Sequence, residues 1–535
     1  MSRRPILAAL VLVAAISVGV TFISRAARRP APRTRADGAR LLESVMRQVQ
    51  ARYVDSVDAD QLWRHAATGM VDELGDPASE VLEADRAKRL EEQARGAYGG
   101  IGLSADQRGE WQVVLSVREG SPADRAGIQV GDRLVEADGV SLRGANGAAM
   151  RAAMRGERGS GLRLVIERAG ERIALALTRD EIHVRAVPRA MRLADNVGYA
   201  QLAIINDSSA TELAATVDSL VRDGAKSLVL DLRGNPGGVL GQGVAVADLF
   251  LDAGAEIVSV RGRVLAKPEQ FVDRTAQRWP ALPVAVLVDG GTASAAEIIA
   301  GALQDHDRAL IIGRISFGKG SAQSVYPLDS GVVLKLTTAR WFTPRGRSIA
   351  RVRADSAGVP VRDVADSLRP TFKTASGRTV RGGGGIVPDV IAGDSATVGE
   401  RNLSRILARN LPRFREAVAE AAATGGRAAF PVIDAPVPAA MREALIAAVA
   451  RRGLGLTRTD LDGAARAVER LLGNEAVRQR FGLPAVALRA VHADPVVREA
   501  ATRLRAAASP KDVFAQRVTT RPSSSPSPVP PAGPR

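Results

Sequence analysis

The sequence predicts a multi-domain α/β protein, and three observations carry that prediction. The chain has 535 residues, too many for one ordinary hydrophobic core. From residue 181 to about 394, apolar strand-like runs alternate with helical patterns, as in an α/β layer architecture. Ahead of that region, residues 96–180 read as short β-type runs between Gly-rich turns, and helical stretches flank the whole.

In chain order, Ile6 to Ile23 are apolar apart from Ser17, Gly19 and Thr21, and Arg3 and Arg4 precede them. Residues 1–26 are therefore expected to be a signal peptide or membrane anchor, with export to the periplasm or cell envelope and anchoring in the cytoplasmic membrane if the segment is kept. Ser24-Arg25-Ala26 offers a weak cleavage site, while the arginines that follow oppose the usual positive-inside orientation. A Pro/Arg-rich linker is predicted over 27–40 and an N-terminal helical region over 41–95, broken near Gly75-Asp76-Pro77. Within 96–180, Trp111 to Val117 and Leu162 to Glu167 are the clearest strands. Within 181–394 they are Ser227 to Leu232, Pro283 to Asp289 and Leu310 to Ile312. Residues 395–518 are Arg/Ala-rich and read as a helical extension. Leu461, Ala465, Val468 and Leu472 there form one face, with Thr459 or Asp460 as N-cap and Gly473 as stop. The Pro/Ser-rich residues 519–535 are expected to form a disordered tail.

Composition excludes several chemistries. With no Cys, disulfides, thiolate catalysis and Cys-ligated metals are ruled out, and His65, His183, His306 and His492 show no metal-ligand spacing. No metal or other cofactor is expected. The formal charge of +16 comes from arginines spread along a chain with only 3% aromatics, which reads as solvated helix faces rather than a nucleic-acid groove.

Only seven of the 74 cationic residues are lysine, yet one stands between two glycines in R-I-S-F-G-K-G-S-A-Q, Arg314 to Gln323. A phosphate loop fits Gly313 to Lys319 but fails at Gly320, where Ser or Thr belongs, and no helix follows. Ser316-Phe-Gly-Lys319 matches S-x-x-K, but glycines at 318 and 320 oppose the helical turn that motif needs. The third reading pairs Lys319 with Ser294. The apolar strand Val284 to Val288 runs through Gly290-Gly291 into a helix beginning at Ala293 to Ala295, so Ser294 stands at a strand-to-helix turn, as a nucleophile or as a plain N-cap. A second strand-turn-helix unit, with Arg233-Gly-Asn-Pro-Gly-Gly238 as its turn, can face the first and offer backbone N–H groups to an oxyanion. A triad through His306 has no support beyond proximity.

Across residues 41–394 the chain resembles the C-terminal processing peptidases, or tail-specific proteases. The resemblance rests on Y-G-G-I-G-L, E-G-S-P-A-D-R-A-G-I-Q-V-G-D-R-L, D-L-R-G-N-P-G-G, A-S-A-A-E-I-I-A-G-A-L-Q-D-H, S-F-G-K-G-S-A-Q, L-K-L-T-T-A-R-W-F-T-P-R-G-R-S-I and G-G-I-V-P-D-V in the family's order. It implies a crotonase-like α/β serine protease core with a PDZ domain inserted ahead of it. It also implies a Ser-Lys dyad, in which Ser294 is the nucleophile, Lys319 the general base and Gln323 the residue orienting that lysine. A lysine takes a proton only when neutral, so its pKa must fall from about 10.4 through burial, with Phe317 helping to dry the pocket. The oxyanion is expected at the N–H groups of Ala295 and of Gly237 or Gly238, and a substrate's C-terminal carboxylate at Gly100, Ile101 and Gly102. Thr292, Asp289 and D-P-A-S near residue 76 depart from the family's usual residues. The implied partners are proteins or peptides with free C-termini, together with an adaptor or regulator, the membrane through the N-terminal segment, and a second copy of the chain. Residues 400–518 match nothing in the family, and dimerisation, adaptor binding and substrate access all remain open for them. The rival readings are a catalytically silent PDZ scaffold and a thioester acyl-transfer enzyme, the second of which predicts no PDZ insertion.

Overall fold

The computed structural model describes residues 35–351, 368–393, 396–408, 410–424 and 430–515. The expected signal or anchor over 1–26 and the tail over 519–535 lie outside them. No helix among the described residues is long and apolar enough to cross a membrane. The chain divides into two units, Met1–Val81 and Leu82–Arg535.

The first unit contains α1 (Arg35–Arg52) and α2 (Ala59–Asp72). Helix α1 starts inside the segment expected as linker, because the last proline is Pro32 and Asp37 places an acidic group in the first turn, where it complements the free N–H groups. Asp58 caps α2 by accepting the N–H groups of Asp60 and Gln61 at 2.9 and 3.2 Å.

In the second unit a helix over Ala84–Arg95 leads into the β-rich module. Strand β1 (Ala97–Gly100) pairs antiparallel with β7 (Asp180–His183), and the two frame the segment between them. Inside that frame, β2 (Leu103–Arg108), β3 (Trp111–Val117), β4 (Arg133–Ala137), β5 (Gly161–Arg168) and β6 (Glu171–Thr178) lie side by side in that order, with α3 (Gly147–Met154) packed near them. Alternation explains the packing: Leu162, Leu164 and Ile166 of β5 point inward onto Val114, Leu134 and Met150, while Gly161 and Arg163 face water. Strand β2 is the edge of this sheet.

The core sheet has the order β8 (Arg189–Arg192), β9 (Val197–Gln201), β10 (Ser227–Asp231), β12 (Val284–Val288), β13 (Leu310–Gly313) and β16 (Val390–Ile391). Only β8 runs antiparallel to its neighbour. The central strands β10, β12 and β13 read as largely apolar runs because both faces are covered. Leu228, Leu230, Val284, Val286 and Val288 pack on one face against α4 (Ser209–Arg222), α5 (Leu240–Asp248) and α6 (Ala295–Asp305). Val229, Ala285 and Leu287 pack on the other, where α9 (Pro495–Arg505) supplies Val496, Val497, Ala500 and Leu504. The end of the predicted extension is thus a structural layer of the core, a correction that no local pattern announces, since one apolar helical stripe looks the same whatever it covers.

A second sheet pairs β15 (Val333–Phe342) antiparallel with both β11 (Glu256–Gly262) and β14 (Ser321–Pro327). The strand at β14 is why neither a phosphate loop nor an S-x-x-K helix forms around Lys319. In the extension, α7 (Leu411–Ala423) and α8 (Ala465–Phe481) pack together, and Arg415 of α7 reaches Asp106 of β2 at 3.3 Å. Gly473 does not stop α8. Its missing Cβ leaves room for the Arg489 guanidinium, whose Nη2 would lie 2.5 Å from a side chain there. The cap of the preceding short helix is Thr457.

Next to β11, Asp273 is buried, with Thr275 N–H donating to one oxygen at 2.9 Å. Burial, with the Asp248 and Asp252 carboxylates close by, pushes its pKa up to about 7. The unfolded value is about 3.9, so the folded state holds this proton more tightly. The stability contribution is fully present below about pH 4 and is lost as the pH rises through about 7. Asp273→Asn keeps the acceptor for Thr275 and removes the charge. Its expected effect is a gain on the order of 1–3 kcal/mol at pH 8 and none at pH 4. Denaturant melts at the two pH values check this, and an equal effect at both would contradict it.

Candidate active site

Two Gly-rich turns at the carboxyl ends of β10 and β12 are stitched together. Asp289 Oδ1 accepts the N–H of Gly291 in its own turn and of Gly234 in the other, both at 2.9 Å. Thr292 Oγ1 donates to the carbonyl of Leu232 at 2.9 Å, and Ala293 N–H donates to the carbonyl of Asn235 at 2.9 Å. Gly291 and Gly234 approach so closely that a Cβ on Gly291 would lie 2.9 Å from the other's Cα. Two of the three departures from the family pattern, Asp289 and Thr292, therefore form the seam between the turns.

Ser294 stands at the end of the second turn with φ 54° and ψ −121°, a conformation that side chains rarely adopt. An ordinary N-cap has β-region dihedrals and needs no such strain. One turn into α6, Glu297 is fully buried and accepts four hydrogen bonds. Its Oε2 takes the N–H of Ser294 at 2.8 Å and of Lys319 at 2.9 Å. Its Oε1 takes the Ser316 hydroxyl at 2.5 Å and the Gly318 N–H at 2.6 Å. The backbones of Ser294 and Lys319, 25 residues apart in sequence, thus meet at one carboxylate oxygen. Burial raises the pKa of Glu297 above the ordinary carboxylate value, and the four donors work against that rise.

The glycines around Lys319 are sterically required. Gly318 has φ 87°, and a Cβ on it would lie 2.7 Å from Arg351 Cβ, while one on Gly320 would lie 2.9 Å from the Ala350 nitrogen. The Lys319 carbonyl accepts the indole N–H of buried Trp341 at 3.0 Å, so the main chain is held on both sides of a half-buried side chain. Phe317 is 36% exposed and covers the site less than expected.

Gln323 is not hydrogen-bonded to Lys319. Its amide nitrogen donates to Ser321 Oγ and Thr337 Oγ1, both at 3.0 Å. The cause is a β-bulge between Ala322 and Gln323, which breaks the simple alternation expected to keep residues 319 and 323 on one face and pairs Gln323 with Thr337. His306 is engaged elsewhere, with Nε2 2.7 Å from the Glu256 carbonyl.

Of the two candidate donors in the facing turn, Gly237 gives its N–H to Asn235 Oδ1 at 2.9 Å. Its bare Cα nevertheless matters, because a Cβ there would lie 2.8 Å from Ser294 Cβ and 2.9 Å from the Ala295 nitrogen. Among the described residues the N–H groups of Gly238 and Ala295 donate to no protein acceptor. In the β-rich module, Gly100 ends β1 opposite Asp180. The carbonyls of Ile101 and Gly102 accept from Ala123 and Arg118 at 2.9 and 2.8 Å, which leaves their own N–H groups undonated among the described residues. Gly102 has φ 80° and sits against Ser121.

Glu297 was missed as a site residue although Ser294-x-x-Glu297 is a capping-box pattern visible in the sequence. The pattern names the bond to Ser294 and says nothing of residues 316–319.

Residues 196–357 match the model of peptidase family S41, and residues 113–168 match a PDZ domain. Over 311 residues the chain is 38% identical to a carboxy-terminal-processing protease of Bartonella bacilliformis, covering 57% of this chain and 71% of that one. The chain belongs to the carboxy-terminal processing protease family. It is also 36% identical over 309 residues to the carboxy-terminal processing protease CtpA of Bacillus subtilis, covering 58% of this chain and 66% of that protein, just under two thirds of its length. Among solved structures it is similar to a photosystem II D1 C-terminal processing protease, at 29% identity over 62% of this chain and 94% of that one, with a TM-score of 0.34.

Proposed function

We propose that this chain is a serine endopeptidase of the cell envelope that captures proteins by their free C-termini and hydrolyses them with Ser294 and Lys319. The observation that carries this reading is the Glu297 carboxylate, which holds the backbone of a strained serine and that of a glycine-flanked lysine at one oxygen. The export half rests on the apolar segment Ile6 to Ile23.

In the proposed reaction the neutral Lys319 amine takes the proton of Ser294 Oγ as that oxygen attacks the scissile carbonyl carbon. The C=O electron pair moves onto the oxygen, and the N–H groups of Ala295 and Gly238 receive the oxyanion. Collapse breaks the C–N bond, the lysine ammonium gives its proton to the leaving amine, and an ester on Ser294 remains. Water then attacks the ester, Lys319 again taking and returning the proton, and the new carboxyl terminus leaves. Gln323 Oε1 accepts no hydrogen bond among the described residues and is the acceptor available to steady the amine. The PDZ domain takes the substrate's carboxylate at the N–H groups of Ile101 and Gly102, with the last residues adding a strand to the open edge of β2.

Cleavage of an unstructured reporter ending in an apolar residue, with a free and with an amidated C-terminus, tests this reading. The expected result is an amidated substrate cut at least about tenfold more slowly, since a buried carboxylate contact is lost. Equal rates would remove the tail-recognition claim. Binding without cleavage of either would favour a silent scaffold.

A further inference from the structure

The extension and the core enclose a second cleft of about 880 Å³ at the carboxyl ends of the core strands. That is where parallel sheets generally place ligands. One wall carries Arg233, Asp289 and Arg314, which follow β10, β12 and β13. The other carries Arg470 of α8 and Arg498 of α9.

The charge in this cleft is unbalanced in a specific way. Among the described residues, the four acidic groups in its walls are committed. Asp289 binds the N–H groups of Gly234 and Gly291, and Asp494 pairs with Arg233 at 2.8 Å. Glu400 accepts the Thr397 N–H at 2.8 Å, and Glu469 pairs with Arg442. Arg489 is likewise engaged, by the carbonyls of Ile433 and Ala435. The guanidinium groups of Arg314, Arg470 and Arg498, which come from three separate parts of the chain, have neither an acidic partner nor a hydrogen bond among the described residues. Guanidinium forks suit oxyanions held two oxygens at a time. Among the described residues no aromatic side chain lines the cleft, so none offers the stacking platform that a nucleobase needs. Its size and the spread of the three cations over both walls suit an extended chain more than a single small ion.

We propose that this cleft is a second binding site, for an acidic peptide segment whose carboxylates pair with Arg314, Arg470 and Arg498. The site is separate from the PDZ groove and does not depend on the proteolytic reading.

The test is fluorescence anisotropy of a labelled glutamate-only peptide, acetylated and amidated so that no free C-terminus enters the PDZ groove, titrated with the full-length Ser294→Ala chain at low salt. Binding is expected, weakening about tenfold or more in Arg470→Glu/Arg498→Glu, as loss of charge-assisted pairs at a low ionic strength predicts. Arg172→Glu/Arg222→Glu, the same charge change outside the cleft, is expected to leave it within about twofold. The milder Arg470→Gln/Arg498→Gln pair, checked by circular dichroism, separates loss of the site from loss of fold. Absence of binding, or equal weakening by both Glu pairs, would overturn the proposal, the latter by showing attraction to net charge alone. Pyrophosphate binding that is lost in Arg470→Glu/Arg498→Glu, without peptide binding, would also overturn it in favour of a small-anion site.

Discussion

Lys319→Ala is expected to reduce hydrolysis of an unstructured reporter by about 10³-fold or more while the protein stays folded. The fold is spared because Lys319 is positioned by its backbone: the N–H is held by Glu297, the carbonyl by Trp341, and neither contact uses the side chain. What is lost is the amine that accepts the serine proton. Lys319→Arg is expected to be equally inactive, since a guanidinium with a pKa above about 12 is never neutral enough to act as a base. Ser294→Ala should match the lysine variant, and the double variant should be no worse than either, because the two act as one unit. Ser294→Gly adds a structural check. At φ 54° glycine relieves strain that alanine keeps, so Ser294→Gly should be the more stable of the two, by about 1 kcal/mol. Initial rates from pH 6 to 10, with circular dichroism on each variant, decide the matter. Substantial activity in Lys319→Ala would sink the dyad.

The second large effect is expected at Glu297. Glu297→Gln keeps the shape but only one acceptor oxygen, so two of four buried donors lose their partner and face an NH2 group instead. Unsatisfied buried donors cost about 1–3 kcal/mol each, so stability should fall by about 2–5 kcal/mol. Activity measured on the folded fraction should drop by about 10²-fold, because the same carboxylate registers serine against lysine. Protonating the wild-type carboxyl also replaces an acceptor with a donor, and burial raises its pKa above the ordinary value. Activity should therefore fall on the acid side above the usual glutamate range. This is not acid unfolding. With the folded pKa above the unfolded one, this group's contribution to stability is fully present below the unfolded value and is lost as the pH rises through the folded one. An acid limb in activity with no loss of stability over the same pH range would support the assignment. A Glu297→Gln protein of wild-type stability and activity would refute it.

Both predictions draw on features of different legibility. The two strand-turn-helix units could be read in advance because each is local: apolar runs of the right length, glycines where the chain turns, and a helix start within a few residues. The glycines flanking Lys319 were legible as unusual, but their cause, the close approach of Arg351 and Ala350, comes from chain thirty residues away. Placing residues 319 and 323 on one face assumed regular alternation, which a bulge between Ala322 and Gln323 interrupts. Gly473 looked like a helix stop because its tenant, Arg489, arrives from another helix.

The amino-acid order by itself set the layers, the strands buried on both faces and the two turns, since hydrophobic period and backbone sterics act over a handful of residues. Tertiary structure decided that Glu297 gathers residues 294, 316, 318 and 319, that the last helix of the extension closes the core, and that three arginines from three parts of the chain share one cleft. These depend on how long connections close and which surfaces then meet, and a residue's neighbours in the chain carry no record of that.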